Sequence, residues 1–322
     1  MVKYYLFEIY DFMLFWNFVN TNEMEILDNP ASRCQTFPMI QDTLVLEHLP
    51  TLKDPLFIAG FEGWGNALNM SKGMAEFLIE KLHAKSFGRI NSDLFYRYDE
   101  NRPVADIQEG LIRDISPPGG LLYATNRGTE GRDLIILKAL EPSLRWFQFV
   151  DAILRLCQRI GVKTIICLGS MYDNVLHTDT VISAVASSQE LLARLMGEKV
   201  ISANYKGPSA IHSTLLFEAQ KRGMDCISLW CHCPYYLQGT MHFGLLSQLA
   251  SLLSSWGGFE LSTQELDVTW KELNRQIQGI IDKNPELQGM ISDLRKAKLK
   301  GSWDETKRHN KVIQLEDFLN PK

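Results

Sequence analysis

The sequence predicts an α/β protein, a three-layer sandwich in which helices cover both faces of a largely parallel central sheet. From Thr43 onward, short apolar runs bounded by Gly, Pro or Asp alternate with longer segments of helical periodicity, as in repeated strand–helix units. The apolar runs also lack polar alternation, which is typical of strands buried on both faces. A chain of 322 residues, 45% of them hydrophobic, is long enough to bury such a core.

The individual elements follow from these two patterns. The predicted strands are rich in Ile, Leu, Val and Cys and comprise Leu56–Ala59, Leu134–Leu137, Thr164–Leu168, Val200–Ala203 and Cys226–Trp230. Apolar residues at steps of three and four predict helices over 67–82, 146–160 and 242–256. A further helix follows Ser209, which we expect to cap it. Turn-rich sequence between residues 90 and 131 predicts antiparallel structure, as an additional sheet edge or a hairpin beside the main fold.

Composition divides the chain into three parts. Residues 1–38 form an aromatic-rich N-terminal extension, residues 39–258 the α/β domain, and residues 259–322 a charged C-terminal appendage whose apolar seam predicts two or three helices. Two interpretations of the extension remain open: translation begins at Met24 or Met39, or the extension is an arm that docks on a neighbouring subunit. Its longest apolar run is too short to span a membrane, which takes about 20 apolar residues.

Charge and cysteine usage exclude several classes of function. The net charge of −5 gives no general attraction to nucleic acid or to an anionic membrane, so we expect neither as a partner. The six cysteines are spread along a large chain and form no compact disulfide framework. We therefore expect reduced thiols in a cytoplasmic protein.

A glycine-rich corner lies at Gly60–Ala67, sequence GFEGWGNA, where an apolar strand turns into a helix. Backbone amides at such a corner can approach an anion, so Gly63, Trp64, Gly65 and Asn66 are candidate binding residues. The corner lacks the third small residue of the dinucleotide fingerprint and the Lys-Ser/Thr pair of a nucleotide P-loop. A tight turn is the simpler explanation of these glycines.

His177 follows a predicted strand and is a further candidate binding residue. Open α/β sheets bind ligands at the carboxyl ends of their strands. Asp173 or Asp179 could orient the imidazole for general-base catalysis, but no Gly-x-Ser-x-Gly nucleophile elbow accompanies it. A structural loop histidine is the simpler interpretation, and we predict no catalytic residue.

Cys231, His232 and Cys233 are of the ligand types that zinc prefers, with Cys226 and His242 nearby in sequence. The Cys-x-Cys spacing, however, places both thiols on one face of a strand, as in ordinary core cysteines. We therefore predict no metal site and no cofactor.

A second glycine corner, Lys206–His212, also opens a helix and is followed by Pro234–Leu237, sequence PYYL. Together with Gly60–Ala67 and the stretch Leu168–Thr178, these segments resemble the bacterial and archaeal branch of the proteasome assembly chaperone family. The sequence around Asn284–Leu287 is similar to the helical end of that family. The resemblance covers most of the chain after residue 40.

The resemblance implies a fold similar to that of nucleoside phosphorylases and hydrolases, without an established catalytic set. It also implies self-association and possible binding to proteasome-like ring subunits. We therefore expect a non-catalytic, homo-oligomeric protein-binding scaffold or assembly chaperone. Trp64 and either Tyr235 or Tyr236 are the expected exposed aromatic anchors, which adds Tyr236 to the candidate binding residues.

Two enzymatic alternatives remain open. One is an enzyme on a phosphorylase-like fold that acts on a small anionic or nucleoside substrate, with the amides of Gly63–Asn66 holding the anion and His177 transferring a proton. This alternative requires those residues to converge on one pocket. The other is an ATP-dependent carboxylate–amine ligase, which needs acidic magnesium ligands beside a nucleotide cradle, and the sequence shows neither.

Overall fold

The computed structural model describes residues 43–128, 131–198 and 200–300. Its strands are β1 (Leu44–Leu46), β2 (Leu56–Glu62), β3 (Lys85–Ile90), β4 (Val104–Gln108), β5 (Leu111–Ser116), β6 (Gly120–Thr125), β7 (Leu134–Leu140), β8 (Thr164–Asp173), β9 (Ile182–Ala186), β10 (Ile201–Ser202) and β11 (Asp225–Pro234). Its α-helices are α1 (Met70–Lys81), α2 (Ser92–Phe95), α3 (Trp146–Ile160), α4 (Gln189–Met196), α5 (Ile211–Lys221), α6 (Phe243–Gly257), α7 (Gln264–Lys283) and α8 (Pro285–Lys300). A short 3₁₀ turn, Ala67–Asn69, precedes α1.

Nine strands form one sheet in the order β1-β3-β6-β7-β2-β8-β11-β9-β10. The four central strands, β7, β2, β8 and β11, run parallel to one another, and antiparallel pairings flank them on both sides. The predicted α/β class with a mostly parallel central sheet is therefore confirmed. The parallel strands lie at the centre because helices cover both of their faces.

The core consists of two layers, one on each face of the sheet. Alternation along β2 sends Ile58 into the cluster with α1, α6 and α7, and Phe57 and Phe61 into the cluster with α3 and α5. On the first face, Gly60 allows close packing of α1, because a Cβ there would lie 2.7 Å from the carbonyl oxygen of Ser71.

The segment predicted to be antiparallel forms the expected hairpin, but its other strand lies inside the main sheet and not at an edge. β6 joins the main sheet between β3 and β7, whereas β4 and β5 form a separate two-stranded sheet. The C-terminal helices α7 and α8 are present, and Pro285 is the first residue of α8 as predicted. The predicted division at residue 258 stays a prediction, and residues 1–38 lie outside the described residues.

Three local expectations were wrong. The predicted buried strand Val200–Ala203 is only the two-residue β10, which is exposed because it lies at the sheet edge and pairs on one side. β9, which separates β10 from β11, was not predicted at all. Ser209 does not cap α5, because its hydroxyl donates to the carbonyl of Ala210 and its oxygen accepts no helix amide.

No helix within the described ranges combines the length and the apolar character needed to cross a membrane.

Candidate functional site

Glu141, directly after β7, joins the two glycine corners that the sequence analysis identified. Its Oε2 accepts a hydrogen bond from the amide of Trp64 at 3.2 Å, and its Oε1 accepts one from the amide of Ile211 at 2.7 Å. The second contact satisfies a free amide at the start of α5, the role we had expected of Ser209. One carboxylate therefore fixes the position of both corners.

The position of Glu141 also explains why residue 63 is a glycine. The residue has a φ of 152°, and a Cβ there would lie 2.8 Å from the Cβ of Glu141. Because a carboxylate already occupies the amide of Trp64, an external anion at that amide would meet like charge. The geometry supports the tight-turn interpretation of the corner.

Asn66 and Gly65 also have structural roles within the corner. The Asn66 Oδ1 accepts from the amides of Ser71 at 3.0 Å and Lys72 at 3.2 Å, in the first turn of α1. A Cβ at Gly65 would lie 3.1 Å from the indole of Trp230, so the glycine allows this ring to pack against the backbone. The corner therefore shapes a wall that ends in Trp230.

Beside this wall lies a cleft of about 650 Å³ at the carboxyl ends of β2, β8 and β11. This is where open α/β sheets bind ligands. Three exposed aromatic side chains surround it: Trp64 is 64% exposed, Tyr205 is 68% exposed, and Tyr172, near the end of β8, is 47% exposed. We call this region the aromatic cleft; its main lining residues are Trp64, Asn66, Ser170, Tyr172, Ser183, Tyr205, Trp230 and His232.

His232 lies at the base of the aromatic cleft in a polar chain. Its Nδ1 is 2.7 Å from Oδ2 of Asp173, and its Nε2 is 2.8 Å from Oγ of Ser183. The hydrogen bond with His232 is the main reason why the pKa of Asp173 is below its ordinary value. Asp173, one of the two carboxylates considered as partners of His177, therefore orients His232 instead.

The hydrogen-bonded series Asp173–His232–Ser183 has the residue types of a hydrolase triad, but the surroundings of the serine differ. Ser183 is buried within β9, where its backbone lies in register with both β11 and β10. Acyl transfer requires amides aimed at an oxyanion beside the nucleophile, and strand pairing directs the amides around Ser183 along the sheet. The arrangement orients His232 and satisfies three polar groups.

His177 and Tyr236 form a second network that does not line the aromatic cleft. The hydroxyl of Tyr236 accepts from the amide of His177 at 2.7 Å and lies 2.8 Å from its Nδ1. His242 Nε2 donates to the carbonyl of His177 at 2.8 Å, while its Nδ1 accepts from the amide of Leu245. Burial lowers the pKa of His177 to about 4, so the imidazole is neutral near pH 7.

The structure thus divides the predicted binding residues into two groups. Gly63, Trp64 and Asn66 line the aromatic cleft, and Gly65 supports its wall, whereas His177 and Tyr236 are buried elsewhere. Tyr236 is only 4% exposed, which does not fit an exposed aromatic anchor. Tyr172 and Tyr205 were missed; a signal for both was their position within four residues after the end of a predicted strand.

The cysteines of the Cys-x-Cys segment lie in the core as predicted. Cys231 and Cys233 are buried on one face of β11, while His232 points to the opposite face. Burial raises the pKa of Cys231 to about 12, so this thiol is neutral. Among the residues that the structure describes, no group of three or more His, Cys, Asp or Glu side chains could hold a metal ion.

Comparison with known proteins identifies the family. A model of the PAC2 family matches residues 57–281, and no curated protein matches the chain in sequence. A PAC2 family protein from Streptomyces avermitilis is similar over 74% of this chain and 100% of its own, with 25% identity and a TM-score of 0.66. A proteasome-assembly chaperone homologue from Mycobacterium tuberculosis is 24% identical, with 73% and 99% coverage and a TM-score of 0.66.

An archaeal proteasome activator from Pyrococcus furiosus shares the fold, with 21% identity, coverage of 74% of this chain and 98% of its own, and a TM-score of 0.58. The predicted resemblance to proteasome assembly chaperones is thereby confirmed. Since the family model covers well over half of the sequence, the chain belongs to the PAC2 family.

Proposed function

We propose that this protein is a non-catalytic, self-associating scaffold that binds protein partners through the aromatic cleft, as an assembly chaperone of the cytoplasm. Ring-forming subunits of the proteasome type are the proposed partners. The names of two structural neighbours, a proteasome-assembly chaperone homologue and a proteasome activator, support this class of partner.

The observation that carries the proposal is the exposed aromatic rim. Trp64, Tyr172 and Tyr205 lie around a concave surface with their rings in solvent. Trp and Tyr are the residues that most often contribute the dominant energy of a protein interface, since each buries a large ring while its polar group can still hydrogen-bond. A monomer gains nothing from leaving three such rings exposed around one cleft.

The enzymatic alternatives have less support. The proposed phosphorylase-like site requires Gly63–Asn66 and His177 in one pocket, and His177 lies outside the aromatic cleft, buried and bonded to Tyr236. The carboxylate of Glu141 also occupies the corner amide that would hold an anionic substrate. Protein binding uses the same cleft without requiring either group.

The test is binding to recombinant proteasome α-type subunits from the same organism, followed by native mass spectrometry and titration. We expect a stable complex with the wild type, and a dissociation constant about 30-fold higher for Trp64→Ala or Tyr205→Ala, because truncating an interface anchor costs about 2 kcal/mol. Tyr98→Ala is the matched control, since Tyr98 is partly exposed and lies outside the cleft.

Equal binding by all three variants would contradict the proposal. So would a wild-type protein that binds no α-type subunit and instead retains a nucleotide or phosphate compound through purification.

A further inference from the structure

The hairpin formed by β4 and β5 is the most exposed apolar element among the described residues. Every residue of both strands is exposed, and the hairpin pairs with no other described strand. Isolated two-stranded sheets are marginally stable in water, because they bury little apolar surface. A hairpin of this kind therefore gains stability by packing against another surface.

The two faces of the hairpin differ in chemistry. The register pairs Ile107 with Ile112 and Ala105 with Ile115, while Asp106 pairs with Asp114. Ala105 and Ile107 alternate with Asp106 along β4, and a bulge at Arg113 keeps their partners Ile115 and Ile112 on the same face. The opposite face carries the two carboxylates together with Val104 and Leu111. We call the first of these faces the isoleucine face; its three isoleucines are between 55% and 64% exposed.

A groove of about 440 Å³ lies elsewhere on the same chain, beside α3, α5, β9 and β11. Phe147 and Phe217 are 67% and 52% exposed there. We call it the phenylalanine groove; its apolar lining is Phe147, Val185, Leu216, Phe217 and Trp230. The hairpin contributes no residue to this groove.

The hairpin carries a net negative charge, and two cations lie beside the groove, one of them paired with Glu218. The hairpin carries Asp106, Glu109 and Asp114 against a single Arg113. Beside the groove, the exposed Arg145 directly precedes α3, and the Nζ of Lys221 lies 4.1 Å from the ring centroid of Phe217, where it also bonds Glu218. Opposite charges around an apolar contact favour its formation and fix its register.

We infer that the isoleucine face of one copy docks in the phenylalanine groove of a second copy of this chain, in a head-to-tail contact. This inference rests on the self-association proposed above and assigns it to two surfaces. Since the two surfaces differ, the contact generates a closed ring or an open chain of subunits.

The first experiment compares Ile112→Asp and Phe217→Asp with the wild type by light scattering coupled to size-exclusion chromatography, over a range of protein concentrations. We expect an oligomer of three or more copies for the wild type and monomers for each variant, because each places a carboxylate in the apolar contact. Val268→Asp is the matched control, since Val268 is equally exposed on α7, and it should remain oligomeric. Both test positions are exposed, so each variant should keep the wild-type secondary structure by circular dichroism.

Mixing the two variants tests whether the hairpin of one copy binds the groove of another. Phe217→Asp has an intact hairpin and Ile112→Asp an intact groove, so an equimolar mixture should form heterodimers with one restored contact. A mixture that stays monomeric would overturn the inference, since the intact hairpin of one variant would then fail to bind the intact groove of the other. Two hairpins packed on each other would instead leave Phe217→Asp oligomeric by itself. Variants that both keep the wild-type oligomer would also overturn it, while leaving self-association intact.

A monomeric wild type would overturn both this inference and self-association, but binding to α-type subunits would still test the remainder of the proposed function.

Discussion

Two histidine networks lie near the carboxyl ends of β8 and β11, and they differ in what surrounds them. His177 bonds Tyr236 and His242 beneath helix α6, within the core. His232 bonds Asp173 and lines the aromatic cleft. The sequence presents His177 as the better functional candidate, because it follows a strand in a polar loop. The fold reverses this order, which shows that the position of a histidine along the chain does not reveal which cavity its ring contacts.

The largest expected effect is the loss of stability at acid pH, and it tests whether the buried histidines are neutral in the folded protein. Burial lowers the pKa of His177, His212 and His242 to about 4, against an ordinary value of 6.5. The unfolded chain then binds more protons than the folded one between these values, so stability is complete above pH 6.5 and falls towards pH 4. We expect the free energy of unfolding to fall by about 1.4 kcal/mol per pH unit for each histidine.

Urea denaturation between pH 7 and pH 5 measures this slope, since most carboxylates remain ionised in that range. A free energy of unfolding that stays constant over the range would show that these imidazoles are not buried in the neutral form.

The second effect is the replacement His242→Ala. His242 is fully buried, stacks on Trp270 with ring centroids 4.1 Å apart, and caps the first turn of α6 through the amide of Leu245. Its loss leaves a cavity, an uncapped helix and the unpaired carbonyl of His177. We expect a destabilisation of about 3 kcal/mol, measured by thermal or urea unfolding. If His242→Ala destabilises the protein less than His232→Ala does, His242 does not have the structural role assigned to it.

The smallest effect on stability is expected for His232→Ala, which separates the His232 network from the buried His177 network. Water in the aromatic cleft can solvate Asp173 and Ser183 once the imidazole is removed, so we expect a destabilisation of about 1 kcal/mol. Binding of α-type subunits should weaken in His232→Ala. In His242→Ala it should stay unchanged once the measurement is corrected for the fraction of protein that is folded. The opposite pattern would place the partner at the His177 network.

Much of the fold was predictable because it depends on local periodicity. Non-alternating apolar runs located β2, β7, β8 and β11, and three- and four-residue spacing located the helices on both faces. Glycine corners were also visible, since only a few residues tolerate the tight turn near Gly63. The short strands β9 and β10 were less predictable, because a strand of two to five residues carries too little pattern to distinguish it from a loop.

By itself, the sequence determined the α/β class, the buried central strands and the family, since periodic burial and short glycine-bearing segments are properties of neighbouring residues. Only the tertiary structure decided the site. Glu141 meets the amide of Trp64 across 77 positions of sequence, and His232 meets Ser183 across 49. Contacts of this range follow from the order of strands in the sheet, which no local pattern encodes. The same order buries His177 and leaves Trp64 in solvent.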